Sequence, residues 1–142
     1  LSGHAMEKYD LHAGITIPNI DNGSTQKLGK GLYAIEPFAT SGSGKVKDGK
    51  PSGIYILTGN MNVRSTNARK VLNLIKESYS TLPFCSRWIV KQIGREAIFG
   101  LNELKRQDII HEYPQLVEST KQKVAQAEHT IFIDDDITIT TL

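Results

Sequence analysis

The sequence holds a single cysteine, Cys85, among 142 residues. An internal disulfide framework is therefore excluded, and so is a cysteine-rich zinc site. A reducing, cytosolic setting is the simplest reading. No apolar run approaches the roughly 18 residues that a membrane helix needs. The first 20 residues, with Glu7, Asp10, His4 and His12, do not read as a secretory signal peptide. The chain opens at Leu1 rather than methionine, and a fragment or processed product is expected from that. Composition is free of extremes: 39% hydrophobic and 23% charged residues fit a soluble globular chain and exclude a disordered or fibrous one. The length suits one domain with a sizeable core.

The net charge of +2 is spread unevenly. Residues 64–107 carry nine Lys or Arg against three Glu, a net +6, and leave the remainder at −4. The middle is thus a different compositional unit from its flanks.

Hydrophobic periodicity agrees. Residues 1–63 read as β-rich. In the expected strand 31–38, Leu32, Ala34, Glu36 and Phe38 share one face. Residues 40–51 are rich in Gly, Ser and Lys and are expected to form a loop. A short strand is expected over 54–57, closed by Gly59 and Asn60. Helical spacing then takes over at Ala68, Val71, Leu72, Ile75 and Tyr79, with Ser65 or Thr66 as N-cap. A second helix is expected to end at Gly94. A third is expected over 95–107, with Ile98, Leu101 and Leu104 inside. Residues 109–122 form a mixed stretch interrupted at Tyr113-Pro114. Strand alternation returns over 124–133 and 137–141, with Asp134-Asp135-Asp136 as a hairpin turn. These aspartates lack calcium-loop spacing and read as a solvated turn.

Thr40-Ser41-Gly42-Ser43-Gly44-Lys45-Val46 has the look of a phosphate loop. It fails because Ala39 stands where the first glycine belongs and Val46 where a Ser or Thr should touch magnesium. His4 and His12 each neighbour a glycine, which lets backbone or ligand approach closely. A lone histidine is usually a polar surface or satisfied core residue, so the pair is a modest signal. Glu36 is more informative, because a carboxylate on an apolar strand face is costly unless paired or bound to metal. The bland alternatives are an exposed face or a basic neighbour. Glu128 repeats the pattern. Two strand carboxylates and a histidine make an oxygen-and-nitrogen set suited to manganese, iron, cobalt or zinc, without choosing among them. The basic helical segment, followed by strands, has a winged-helix outline. A scaffolding subdomain with a solvated basic face is the preferred reading, with attraction to RNA or a ribosome left open.

Five motifs in order extend these observations. Gly3-His4-Ala5-Met6-Glu7-Lys8-Tyr9-Asp10-Leu11-His12-Ala13-Gly14 resembles the segment opening the second half of type 2 methionine aminopeptidases. Tyr33-Ala34-Ile35-Glu36-Pro37-Phe38 is similar to their next metal-ligand strand. Thr81-Leu82-Pro83-Phe84-Cys85-Ser86-Arg87-Trp88 resembles a signature of their helical insertion. Tyr113-Pro114 and Gln126-Ala127-Glu128-His129-Thr130 complete the series.

The resemblance implies an α/β (α+β) pita-bread half-fold: an antiparallel sheet with an inserted helical, winged-helix-like subdomain. Residues 1–63 and 124–142 would form the C-terminal half of the catalytic domain, and 64–123 the type 2 insertion. The implied activity is removal of the N-terminal Met from nascent proteins by dinuclear metal-activated hydrolysis. Two divalent ions (Co, Mn, Fe or Zn) are implied, with His4, Glu36 and Glu128 as ligands, Glu128 bridging. His12 and Glu36 would be catalytic. His12, Phe38, Tyr113 and Leu11 would touch substrate, Phe38 and Tyr113 lining the pocket for the methionine side chain. The family also draws two aspartates and a further histidine from its first half, and no motif here supplies them. The site is therefore expected to be incomplete and this chain alone inactive. Expected partners are nascent polypeptides, the N-terminal half of the enzyme and a ribosome contact, with no membrane or specific DNA, in the cytoplasm. The alternative is a non-enzymatic relative that binds RNA or ribosomes.

Overall fold

The computed structural model describes residues 1–59 and 61–142; Asn60, expected to help close a strand, lies outside the described residues. In chain order the elements are β1 (Ser2–Met6), β2 (Thr16–Pro18), β3 (Gly31–Ile35), β4 (Phe38–Thr40), β5 (Val46–Leu57), α1 (Thr66–Ser78), β6 (Phe84–Cys85), α2 (Ser86–Ile93), α3 (Ala97–Arg106), β7 (Ile110–Glu118), β8 (Val124–Gln126), β9 (His129–Ile133) and β10 (Ile137–Ile139). They form two compact units, one of Leu1–Lys47 with Val117–Leu142 and one of Asp48–Leu116. The inserted segment proposed from sequence, 64–123, lies mostly within the second unit.

The first unit holds a five-stranded sheet, ordered β10-β9-β3-β1-β2, and the pair β4-β8. Its sheet pairings are antiparallel. Ile35 pairs with His129, and Phe38 pairs with Gln126. Both pairs keep one offset, so β3-β9 and β4-β8 are a single ladder interrupted at 36–37 and 127–128. The Ala127 N–H donates to the Pro37 carbonyl at 3.2 Å across that gap. Two single strands were expected here, 31–38 and 124–133, and each is broken at the interruption. The register leaves Glu36 opposite Glu128. Side chains alternate across a sheet, so His4, Ala34 and Thr130, which pair in a row, share one face, and the His4–Glu36 contact puts Glu36 on it too; the same alternation, carried past the last paired residues, would bring Glu128 there.

The second unit carries a three-stranded sheet, β6-β5-β7, and the helices. Ser65 caps α1, its hydroxyl accepting from the Ala68 N–H at 3.3 Å. Ala68, Val71, Leu72 and Ile75 are buried on one stripe, as the 3.6-residue period requires. A row of stacked rings runs Tyr55, Phe84, Tyr79, Trp88, with centroid separations of 5.9, 5.5 and 5.9 Å. Gly94 ends α2 with φ 105°.

Three expectations are corrected. Residues 46–51, expected as loop, begin β5. They are exposed, so their composition records solvent rather than lack of structure. Residues 110–118, expected as an interrupted stretch, form one strand. Pro114 is tolerated because β7 is an edge strand, where a missing N–H goes unneeded. In α3 the inner positions are Ala97, Gly100, Leu101 and Leu104, while Ile98 is half exposed. Two small residues share that face with two leucines; a Cβ on Gly100 would stand 2.7 Å from Val71 Cγ2. Among the described residues, no helix is long and apolar enough to cross a membrane.

Candidate metal centre

His4 pairs with Ala34, which puts Glu36 one step along on the same face and diagonal to it. Close approach of the strands demands Gly3: a Cβ there would lie 2.4 Å from the Ala34 carbonyl oxygen. The result is His4 Nε2 standing 3.1 Å from Glu36 Oε1, both side chains largely buried. The expectation that a strand carboxylate needs a partner is thus met by a histidine.

His4 Nδ1 lies 3.2 Å from the Ala5 carbonyl oxygen, which only accepts. A proton on Nδ1 satisfies that contact and turns the Nε2 lone pair toward the Glu36 carboxylate. Two electron-rich atoms 3.1 Å apart need a positive centre between them, a proton or a metal ion. A backbone carbonyl orienting the far nitrogen is the usual support of a metal-binding histidine. Nitrogen and carboxylate oxygen at that separation also suit one ion with bonds of about 2.0–2.2 Å. The donor set therefore fits a divalent metal. Among the described residues, no group of three or more His, Cys, Asp or Glu is so placed that it could hold a metal ion by itself.

Glu36 is held from several sides. Its Oε2 accepts from Gln126 Nε2 at 3.2 Å, and its carbonyl accepts from Asn19 Nδ2 at 2.9 Å. Asn19 also donates to the Leu1 carbonyl at 3.0 Å. His12 returns to the site through a tight turn. Glu7 and Asp10 bridge, Tyr9 takes φ 62°, and the Ala13 N–H donates to the Ala5 carbonyl at 2.9 Å. The exposed His12 ring then lies edge-on to His4 with centroids 4.4 Å apart.

His4, His12 and Glu36 line one cavity of about 270 Å³. A second cavity, of about 370 Å³, shares Leu1 and Ser2 with the first. Phe38, Pro18, Ile20, Val46 and Val124 give it apolar walls.

The structure thus brings together His4, His12 and Glu36, with Phe38 in the adjoining cavity. Glu128 is exposed and is set opposite Glu36 only by the register shared by the flanking strand pairs. Leu11 is half-buried in the turn and lines neither cavity. Tyr113 lies on β7 in the other unit, edge-on to His111 at 5.3 Å. In the aspartate turn Lys30 pairs with two of the three carboxylates, its Nζ 2.5 Å from Asp134 and 2.6 Å from Asp135. That pairing, Asp134 first and Asp135 next, raises the Lys30 pKa. Sequence reasoning missed Asn19 and Gln126 as supports of Glu36. Gln126 sits in a quoted motif, whereas nothing local singles out Asn19.

No family model matches the sequence. The methionine aminopeptidase of Methanocaldococcus jannaschii is 45% identical over 143 residues, which span 99% of this chain and 48% of that protein. That of Pyrococcus horikoshii is 42% identical, covering 99% of this chain and 49% of its own length. Methionine aminopeptidase 2 of Verticillium alfalfae is 35% identical, covering 94% and 31%. The chain therefore spans about half the length of its archaeal relatives. Among solved structures, a thermophilic Arx1 superposes with a TM-score of 0.70 at 21% identity, over 97% of this chain and 38% of that one. That likeness carries fold alone: an α/β pita-bread half with antiparallel sheets and an inserted helical subdomain.

Proposed function

Since the chain is a relative of the methionine aminopeptidases along its whole length, we propose that it is the C-terminal portion of a cytoplasmic metal-dependent enzyme of that kind. Such an enzyme removes the N-terminal Met of nascent polypeptides. The single observation behind this is His4 Nε2 facing Glu36 Oε1 at 3.1 Å, with the far ring nitrogen on a carbonyl. His4 and Glu36 would hold a divalent ion, and Glu128, opposite Glu36, would join them. When bound, the metal supplies Lewis acidity and lowers the pKa of a water. Glu36, fixed by Gln126, would carry the proton from that water toward the leaving amine. His12, exposed at the cavity beside the His4 ring, would donate a hydrogen bond where charge develops on the scissile peptide. The apolar cavity beside Phe38 would seat the methionine side chain. Leu11 and Tyr113 keep their assignment to substrate from the sequence resemblance.

Two ions bring four positive charges, and the two glutamates cancel half of them. Further carboxylates from the other half of the enzyme would have to neutralise the rest. The chain alone, mixed with manganese and a Met-Ala-Ser peptide, should release no methionine, and robust turnover would contradict that. Joined to the missing half, Glu36→Gln should abolish turnover, while His12→Ala should lower kcat far more than metal content. Equal loss of metal in the His12 variant would defeat its assigned role. The rival reading, a non-enzymatic protein that binds RNA or ribosomes, requires no metal at His4 and Glu36.

A further inference from the structure

Glu118 is a buried carboxylate away from His4 and Glu36 in sequence, and five neutral donors close on it. Its Oε1 accepts from the Ser43 N–H and hydroxyl, both at 2.7 Å. Its Oε2 accepts from the Thr120 N–H and hydroxyl at 2.6 Å and from the Gln122 N–H at 3.2 Å. Each oxygen therefore serves one turn, residues 41–45 or residues 119–122. The fit is close: a Cβ on Gly42 would stand 2.5 Å from the Glu118 carboxyl carbon. Two further bonds join the same turns. The Ser119 N–H donates to the Lys45 carbonyl at 2.8 Å, and the Thr40 hydroxyl to the Lys123 carbonyl at 2.8 Å.

These turns are the wall of the cavity beside Phe38. Gly44 lines it from one turn, with Thr40 and Val46 at that turn's two ends, and Glu118 and Val124 line it from the two ends of the other. We propose that Glu118 is a positioning residue that clamps the two turns together and so sets the width the cavity offers to a substrate's first side chain. The assignment to substrate rests on the function proposed above; the clamp does not. A carboxylate is required because both oxygens must accept. Glutamine has one accepting oxygen, and its amide would point hydrogens at donors, so one turn must let go.

The test uses the labelled chain as wild type, Glu118→Gln and Gly42→Ala, the last displacing the carboxylate from the opposite side. Amide exchange is followed at Ser43, Thr120 and Gln122, with Ala5 in β1 and Ala34 in β3 as controls. Binding of L-methioninamide and L-alaninamide is titrated by chemical shift in the same samples. Both variants should lose protection at one turn at least, with the controls unchanged. The preference for methioninamide should fall about tenfold, the scale of a misfit in an apolar pocket. Unchanged protection and preference in both variants would overturn the clamp. A wild-type chain without preference for methioninamide, whose amides are still freed by Glu118→Gln, would overturn the cavity's substrate role and leave the clamp standing.

Discussion

The two units are built by different means. Residues 48–116 bury thirteen hydrophobic side chains in one cluster, from Tyr55 to Ile110. The other unit buries only Ala5, Tyr33 and Ala34 among its hydrophobics, alongside two polar groups, His4 and Glu118. Within this chain, one unit thus carries a closely packed core of its own, while the other is joined mainly by strand register and hydrogen bonds to buried polar atoms. The difference is instructive because the candidate chemistry lies in the weakly packed unit. His4 and Glu36 are largely buried yet meet each other rather than apolar neighbours, and strand register holds them in that position.

Substitutions should separate the two regimes. Phe84, 1% exposed and stacked between Tyr55 and Tyr79, anchors the packed unit. Phe84→Ala should cost about 3–5 kcal/mol, read by urea unfolding with the fluorescence of Trp88, the sole tryptophan. If Glu118→Gln moved the same transition equally, the units would not be energetically distinct. Ser65→Ala removes one cap bond from α1 and should cost about 1 kcal/mol in the same experiment. A loss as large as that of Phe84→Ala would mean that capping rather than packing dominates this unit.

Acid should act on the other unit. Hydrogen bonds from Thr120 and then Ser43 hold the Glu118 carboxyl at about 2, against an ordinary value of 4.5. A depressed carboxylate contributes stability that is complete above its unfolded pKa and fades as pH falls through its folded one. Protection at Ser43 and Thr120 should therefore persist at neutral pH and decline between about 4.5 and about 2. Decline already at pH 6, followed by amide exchange, would show the carboxylate to be ordinary.

The packed unit was largely legible in the sequence. Helix α1 follows from Ala68, Val71, Leu72 and Ile75, since large apolar residues at helical spacing announce a buried stripe. The inner face of α3 was less legible, because Ala97 and Gly100 pack through smallness. The exposed first half of β5, ahead of the expected strand 54–57, was hidden by its solvent-facing composition, and β7 by Pro114 on an edge. At the candidate site, His4, His12 and Glu36 stood out as polar residues in apolar or glycine-flanked settings. Their supports did not. Asn19, Gln126 and Glu118 matter only through partners on distant strands and turns, and no local period encodes such pairings.

The central claim is that His4, Glu36 and Glu128, placed on one face by antiparallel register, offer a divalent cation its protein donors. Titrating labelled chain with manganese and mapping paramagnetic broadening tests it most directly. Broadening should appear first at His4, Glu36 and Glu128, reach the His12 ring, and vanish in His4→Ala. Broadening centred on Asp134, Asp135 and Asp136, or unchanged by that substitution, would contradict the account.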